Sequence, residues 1–324
     1  MRMQRWWTML FPVALWAVLA GAACAQSFPS RPIRLLVPFP PGGPTDQVSR
    51  LLGQMVTEST GQPVLVDNRP GGGSQIAAAA LLQAPADGYT VMIGDIGALA
   101  VNPTLYEKLS YDPQRDFVAI SRVMSSPMVL LVPVKSPANS VAQLLDLAKS
   151  QGRLSYASQG IGTGGHLLAE MFKSVTGATM VHVPYKGSAP AMQDLIAGQV
   201  DLLFDLMGAG LPQARGGKVK ILAVGTPQRA ERAPEVPTMA EAGYPDVAMT
   251  VWFGMVARSG TPDAVVRVLN NQVVSALKNP EVSKRLYDQG FDASPSTAEE
   301  FAAQMRSERE KWGAVVKSSG ARVD

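Results

Sequence analysis

Residues 33–46 have the sequence IRLLVPFPPGGPTD, and this stretch decides the fold class because a strand pattern leads through a glycine turn into a helix start. Ile33–Phe39 is a short apolar run typical of a buried strand, and a helix is predicted to begin near Thr45. Strand, glycine loop and helix follow one another again at residues 64–75 and 154–164. This alternation predicts an α/β protein whose parallel strands are covered by helices.

Short apolar runs and helical patterns continue almost to the end of the 324-residue chain. Further strands are predicted at Val64–Val66, Thr90–Gly94, Val129–Val134, Leu154–Ala157, Met180–Val183, Val200–Phe204, Val219–Val224 and Val251–Val256. Further helices are predicted to begin near Gln75, Val141, Gly164, Ala189, Pro262, Pro280 and Thr297. Ser296 and Glu299 have the spacing of a capping box before the last of these helices.

No linker rich in Ser and Gly divides this pattern, so the chain is expected to cross between two lobes within its strands. The apolar run 117–134 is interrupted by Ser125-Ser126-Pro127, where the first crossing is predicted, and a second is predicted after Val224. Lobe I would then comprise residues 26–124 and 225–324, with residues 125–224 inserted as lobe II. Each lobe is expected to be a mostly parallel sheet flanked by helices, with the ligand site in the cleft between them.

The first 25 residues have the three parts of a secretory signal peptide. Arg2 and Arg5 precede an apolar run over residues 6–19, and small residues end at Ala23-Cys24-Ala25. A membrane anchor is a weaker interpretation because the run is short for a span, and lipid attachment at Cys24 is a second alternative. Cleavage after Ala25 leaves a chain without cysteine, which fits the bacterial periplasm.

Composition excludes several classes of function. The net charge is +3, which provides no basic field for nucleic acid. One Cys excludes a disulfide framework, and two His exclude a His-rich metal site. The sequence contains neither an H-E-x-x-H nor a C-x-x-C motif, so no metal is expected.

Three glycine-rich loops are the strongest functional feature of the sequence. They are PFPPGGPTD at 38–46, VDNRPGGGS at 66–74 and SQGIGTGGH at 158–166. Glycine lets the backbone approach a ligand, and the first N–H groups of the helix that follows favour an anion such as a carboxylate or phosphate. The alternative is that each loop is only a tight turn with a helix cap.

Catalytic and cofactor alternatives have less support. Residues 160–165 fit the G-x-G-x-x-G spacing, but the acidic residue of a dinucleotide site is absent downstream, so no cofactor is expected. The G-x-S-x-G motif of a serine hydrolase is absent as well. Asp46, Asp95 and Asp205 could meet in the cleft as acid–base groups, and an exported hydrolase that uses His166 with a nearby acid remains the alternative function.

Seven short segments occur in an order that resembles one known family. They are PFxxGGxxD at 38–46, VxNRPG at 66–71, ADGYT at 86–90, GxGxxxHL at 160–167, VPYKG at 183–187, GQVD at 198–201 and PEVPT at 234–238. Behind a signal peptide they resemble the Bug family, the periplasmic solute receptors of tripartite tricarboxylate transporters. The resemblance covers essentially the whole mature chain.

This resemblance implies a two-lobe, type II-like periplasmic binding protein fold without catalytic activity. The implied ligands are small carboxylates, which include amino acids, di- and tricarboxylates and aromatic acids. The implied partners are membrane transporter subunits or a sensor kinase, and the receptor is expected to be a monomer. Ligand contacts are implied for Phe39, Gly42, Gly43, Thr45 and Asp46 on one side of the cleft and for Ser158, Gly162, Thr163, Gly164 and His166 on the other.

Four further residues are candidates from their own positions. Asp205 follows a predicted strand at the end that faces the cleft, Asn68 either shapes its turn or contacts ligand, and Tyr185 is either a cleft wall or core. Asp95 stands where the family usually has a small Ser or Thr. If Asp95 points inward, we expect its charge to oppose a simple dicarboxylate and to favour an amine-bearing or partly apolar ligand.

Overall fold

The computed structural model describes residues 28–319, so the predicted signal peptide and Cys24 lie outside the described residues. Within 28–319 the chain forms ten strands and eleven α-helices. None of the helices in this range has the length and apolar character that a membrane span needs.

The elements alternate along the chain as the sequence predicts. The strands are β1 (Ile33–Val37), β2 (Val64–Asn68), β3 (Thr90–Asp95), β4 (Phe117–Pro133), β5 (Leu154–Ser158), β6 (Met180–Pro184), β7 (Leu202–Leu206), β8 (Val219–Val224), β9 (Thr250–Arg258) and β10 (Asp292–Ala293). The helices are α1 (Pro44–Thr60), α2 (Gln75–Gln83), α3 (Asn102–Leu105), α4 (Pro113–Asp116), α5 (Val141–Gln151), α6 (Gly164–Thr176), α7 (Ser188–Ala197), α8 (Met207–Arg215), α9 (Asp263–Lys278), α10 (Pro280–Asp288) and α11 (Ala298–Ser319). A 3₁₀ turn covers Gly72–Ser74, and a π-helical turn covers Gly97–Val101.

The strands follow the order β2-β1-β3-β9-β4-β7-β5-β6, with β8 and β10 also paired to β4. β1 pairs in parallel with β2 and β3, and β5 pairs in parallel with β6 and β7. The strands between these two groups pair antiparallel. The predicted parallel pairing is therefore limited to the outer strands. β9 arrives from β8 through turns at residues 225–249, so no helical crossover imposes a parallel direction on it.

Strand β4 joins two parts of the sheet. Its residues 117–127 pair with β9, and its residues 128–133 pair with β7 and β8. We call β1, β2, β3, β9, β10 and residues 117–127 the first half, and β5–β8 with residues 128–133 the second half. The sequence predicts a break at Ser125-Ser126-Pro127, but the strand continues there and bends at irregularities near Ile120 and Val123. The lobe boundaries themselves stay a prediction.

Side chains of β4 alternate between two apolar clusters. Leu130 and Val132 belong to the larger cluster, and Val129 and Leu131 belong to a smaller cluster in the second half. This period of two is the strand period, so both faces of the strand are buried. Helix α11 closes the first half with buried aromatic side chains, and the Phe301 ring lies on Gly254 of β9, where a β-carbon would collide with it.

Most predicted helix starts agree with the structure to within one residue. Helix α8 lacks a predicted counterpart because two glycines and Pro212 within it hide the helical pattern. The capping box lies one residue later than predicted, since Thr297 and Glu300 exchange the two side-chain-to-backbone bonds. Ser296 instead accepts a hydrogen bond from the backbone N–H of Arg122, which occupies its hydroxyl.

Candidate ligand-binding site

A cavity lies between the first and second halves and is lined by both. It contains about 480 Å³ of space free of atoms, part of it open to solvent. The first half contributes Phe39, Pro40, Gly43, Pro44, Thr45, Asp95, Val251 and Phe253. The second half contributes Met128, Gln159, Thr163, Gly164, Gly165, Ser188, Ala189, Asp205 and Leu206.

One wall of the cavity is the start of helix α1. Gly43 is the N-cap residue and makes no side-chain capping bond, and Pro44 occupies the first turn. The first N–H groups of a helix have no partner within the helix. Because Gly43 has no side chain to accept from them and Thr45 lines the cavity, this helix start is open to an acceptor on a ligand.

The opposite wall is the start of helix α6. Thr163 is the N-cap residue, yet its side chain makes no capping bond. Its hydroxyl instead donates to the carbonyl of Gly160 at 2.7 Å. The first turn, Gly164 and Gly165, lines the cavity. Two helix starts from different halves therefore face one space, and the positive ends of both helix dipoles favour an anion there.

The two halves touch beside the cavity. A β-carbon on Gly97 would lie 2.8 Å from the carbonyl oxygen of Gly162, and one on Gly187 would lie 2.7 Å from Cδ of Pro40. Each contact joins a residue of the first half to a residue of the second. A side chain at either position would hold the two halves apart. Glycine at both positions therefore lets the halves come close enough to enclose the cavity.

Asp46 does not line the cavity and is held by its own loop. Its carboxylate accepts from the Gly42 N–H at 3.0 Å, from Nδ2 of Asn68 at 3.0 Å and from the Arg50 guanidinium at 2.9 Å. Burial raises the pKa of Asp46. The hydrogen bonds from Arg50, Gly42 and Asn68 together lower it by more than burial raises it, so the pKa lies below its usual value. The group is therefore ionised and engaged within the first half.

Asp95 ends β3 and lines the cavity, with a relative exposure of 3%. Its Oδ1 accepts from the Ala98 N–H at 3.0 Å. Burial raises the pKa of Asp95, and bonds from the backbone N–H groups of Ala98 and Gly97 offset this only in part. Among the described residues, Asp95 has no ion-pair partner.

Asp205 lies at the end of β7 on the other side of the cavity and is fully buried. It accepts from the Ser188 hydroxyl, from the Leu206 N–H at 2.8 Å and from the Gln159 side chain. Burial raises the pKa of Asp205 to about 6. Within the part of the chain that the structure describes, no Lys, Arg or His lines the cavity beside these two acids.

Half of the fourteen predicted contact residues line the cavity and half do not. Those in the cavity wall are Phe39, Gly43, Thr45, Asp95, Thr163, Gly164 and Asp205; those outside it are Gly42, Asp46, Asn68, Ser158, Gly162, His166 and Tyr185. Asn68 donates to the Phe39 carbonyl at 3.0 Å and so holds the glycine loop at 38–46 rather than its own turn. Tyr185 donates to Asp194 and lines a second hollow of about 890 Å³ that shares Phe39 and Thr163 with the cavity.

His166 lies behind the α6 start rather than in the cavity. Its ring stacks on His182 with centroids 4.3 Å apart, and its Nδ1 accepts from the Gly162 N–H at 3.2 Å. Burial lowers the pKa of His166, which keeps the ring neutral. Ser158 contacts Nε2 of His182 at 2.7 Å in the same group. These side chains support the glycine loop from behind.

Several wall residues have no counterpart among the predicted contacts. Gln159 lies inside a quoted glycine loop, and Ser188 directly follows the VPYKG segment, so position alone could have suggested both. Phe253 and Val251 lie on β9. Pairing with β3 places Phe253 opposite Asp95, and pairing with β4 places Val251 opposite Ser126. The pairing register of β9 cannot be read from a single sequence.

The comparison with known families decides the classification. The family described as the tripartite tricarboxylate transporter family receptor matches residues 48–321. The chain belongs to this family. BugT of Bordetella pertussis, one of its curated relatives, is 36% identical over 309 residues that cover 95% of each chain.

Two similar proteins of known structure were solved with small acids. A protein of R. palustris with adipate has a TM-score of 0.87 and 36% identity, covering 90% of this chain and 98% of the other. MatC from Rhodopseudomonas palustris with bound malate has a TM-score of 0.85 and 32% identity, covering 89% and 100%. The predicted fold and the resemblance to the Bug family are thereby confirmed.

Members of this receptor family bind solutes and are not enzymes. The alternative interpretation of the sequence, an exported hydrolase that uses His166, is therefore wrong. The geometry gives the reason, because His166 is stacked behind the loop and its side chain does not reach the cavity.

Proposed function

We propose that this chain is a periplasmic receptor that binds a small carboxylate in the cavity between its two halves. The observation that carries the proposal is the meeting of two helix starts without side-chain caps, those of α1 and α6, at one cavity. Each helix start offers N–H donors and roughly half a positive charge. A carboxylate can thus be held by backbone groups without a basic side chain.

The relatives support the choice of ligand class. The similar structures with adipate and malate contain small dicarboxylates. The shared requirement is at least one carboxylate. The side chains that line the cavity of this chain determine which other groups the ligand carries.

Closure of the two halves is part of the proposal. Lobe I, residues 26–124 and 225–324, and lobe II, residues 125–224, would move about β4 and the segment that follows β8. The contacts at Gly97 and Gly187 would form on closure and trap the ligand. The receptor would act as a monomer and deliver its ligand to the membrane subunits of a tripartite transporter. Export would depend on a signal peptide at residues 1–25.

Thermal unfolding of the mature protein against a panel of acids tests this function. The protein is first stripped of ligand by unfolding and refolding. Ligand at about 100 times its Kd adds roughly 2.7 kcal/mol, which raises the Tm by several degrees for a chain of this size. We expect a shift with at least one acid and none with its amide. A shift that is equal for acid and amide, or that only neutral solutes produce, would contradict a carboxylate site.

A closure variant tests the geometry in the same assay. Gly97→Val places a side chain against the Gly162 carbonyl, where even a β-carbon would lie at 2.8 Å. We expect this variant to lose the ligand-induced shift. Because the β-carbon would also lie 3.3 and 3.4 Å from the Asp95 carboxylate oxygens, the Tm of the unliganded protein should fall modestly as well, and it is measured alongside. An unchanged ligand shift would show that closure at Gly97 is not needed.

A further inference from the structure

An acid and two aromatic rings lie together on the first-half wall of the cavity. Asp95 of β3 stands directly opposite Phe253 of β9 in the antiparallel register. Residues directly opposite in such a pair project from the same face of the sheet, and both line the cavity. The Phe39 ring meets the Phe253 ring edge to face, with centroids 6.4 Å apart.

The two acids of the cavity differ in what satisfies them. Asp205 accepts from the side chains of Ser188 and Gln159 as well as from a backbone N–H. Asp95 accepts only from backbone N–H groups of its own turn, among the described residues. A buried carboxylate without a cation or side-chain donors is costly. Asp95 is therefore the acid that remains available to a ligand.

We propose that the carboxylate ligand of this receptor also carries a protonated amine, which pairs with Asp95 and lies against the rings of Phe39 and Phe253. The inference rests on the proposed function, since the carboxylate of the same ligand would be held at the starts of α1 and α6. The ligand class is thus an amino acid or another aminocarboxylate rather than a simple dicarboxylate.

Charge and aromatic character both favour an ammonium group at this position. A second carboxylate on the ligand would approach Asp95 and Asp205, with no basic side chain among the described lining residues to compensate. An ammonium group instead forms a charge-assisted hydrogen bond with a carboxylate. Aromatic rings attract cations through their negative faces, so the ring pair beside Asp95 adds to the same preference.

Calorimetry with matched pairs of acids tests the inference on the mature protein. The probes are glutamate with glutarate and 4-aminobutyrate with butyrate, in which the members differ by the amine. We expect the amine-bearing member to bind at least about tenfold more tightly. Asp95→Asn and Asp95→Ser should remove this preference by weakening only the amine-bearing member. Thermal unfolding without ligand shows that both variants fold.

Asp201→Asn is the matched control. Asp201 directly precedes β7 and accepts from the backbone N–H and hydroxyl of Ser155, and it does not line the cavity. Its neutralisation removes one negative charge from the second half, outside the cavity, and should leave the preference intact. A general effect of net charge would instead reduce the preference in this control as well, which would overturn the inference.

The outcomes separate the inference from the function beneath it. Binding of the plain acids as tightly as the amine-bearing acids, with a ratio unchanged in Asp95→Asn, would overturn the inference and leave the carboxylate receptor standing. Binding of neutral solutes alone would overturn both. Loss of the preference in both Asp95 variants, with the plain acids unaffected, would support the ammonium site.

Discussion

Asp46 and Asp95 are equally buried, with 3% relative exposure each, yet their surroundings are opposite. Asp95 is the last residue of β3, and Asp46 lies in the first turn of α1, which follows the neighbouring parallel strand β1. Asp46 is bound by Arg50 and Asn68, whereas Asp95 meets only backbone N–H groups. The pKa of Asp46 is accordingly lowered and that of Asp95 raised.

The difference teaches that burial does not separate a structural acid from a binding acid. Arg50 lies one helical turn after Asp46, at i+4, and neutralises it within the same element. The turn after Asp95 contains Ala98 and no basic residue, so its charge is left for something outside the chain. For this pair, a basic residue in the next helical turn distinguishes the acid held by the scaffold from the acid left available.

Asp205 extends the comparison to a third buried acid, and its titration gives the largest expected change in the free energy of unfolding. Its pKa rises from 3.8 to about 6 in the folded protein, so the folded state holds the proton more tightly than the unfolded state. The resulting stabilisation is fully present below pH 3.8 and is lost as the pH rises through 6. For ligand-free protein, the free energy of unfolding relative to Asp205→Asn should fall by roughly 2–3 kcal/mol between pH 4 and pH 7.

Urea unfolding of wild type and Asp205→Asn at several pH values measures this difference. Asp46→Asn serves as the comparison, because a lowered pKa gives the opposite sign. The stabilisation from Asp46 is present above the pKa that it has when unfolded and is lost as the pH falls through its lower folded pKa. Parallel pH profiles for wild type and Asp205→Asn would contradict the raised pKa of Asp205.

Direct replacement of the two compared acids gives the next largest effect. Asp46→Asn removes the charge that pairs with Arg50 and weakens the bonds from Gly42 and Asn68, so we expect a loss of about 2 kcal/mol in the free energy of unfolding. Asp95→Asn removes a buried charge without a cationic partner and should cost less than about 1 kcal/mol, or stabilise the protein. Urea unfolding at pH 7 without ligand tests both. Equal losses would remove the distinction between the two acids.

Arg50→Gln should have the smallest effect. The Arg50 side chain is 54% exposed, and an ion pair with one exposed partner contributes only about 0.5 kcal/mol. We expect this small loss in urea unfolding at pH 7, and unchanged ligand affinity in calorimetry, since Arg50 does not line the cavity. A large loss of affinity would instead show that the Asp46 network shapes the binding wall.

The local elements of the site were predictable from sequence, and the cross-sheet contacts were not. The start of α6 at Gly164 follows from a strand, a glycine loop and a helical pattern that are adjacent in the chain. The ligand contact of Asp46 stays a prediction, and Arg50 at i+4 already indicates a partner for it within the helix. The placement of Phe253 beside Asp95 depends on long-range strand register, which no local pattern determines.

The length of β4 shows the same limit. Ser125-Ser126-Pro127 resembles a break because Pro lacks an N–H and serine is a turn former. In the structure Pro127 lies opposite Thr250, and Met128 donates to the carbonyl of Met249. The ladder thus resumes after a single missing donor. Pairing on both sides outweighs the local preference, and only the tertiary structure supplies that pairing.

The sharing of β4 also sets an order of events when the chain folds. The second half consists of residues 128–224 in one continuous stretch, so its strands can pair as soon as that stretch is available. In the first half, β3 must wait for β9, because Asp95 pairs with Phe253. Contacts between distant residues form slowly. We therefore expect the second half to be the earlier cooperative unit, with the segment 117–127 that continues from it as the strand on which β9 pairs.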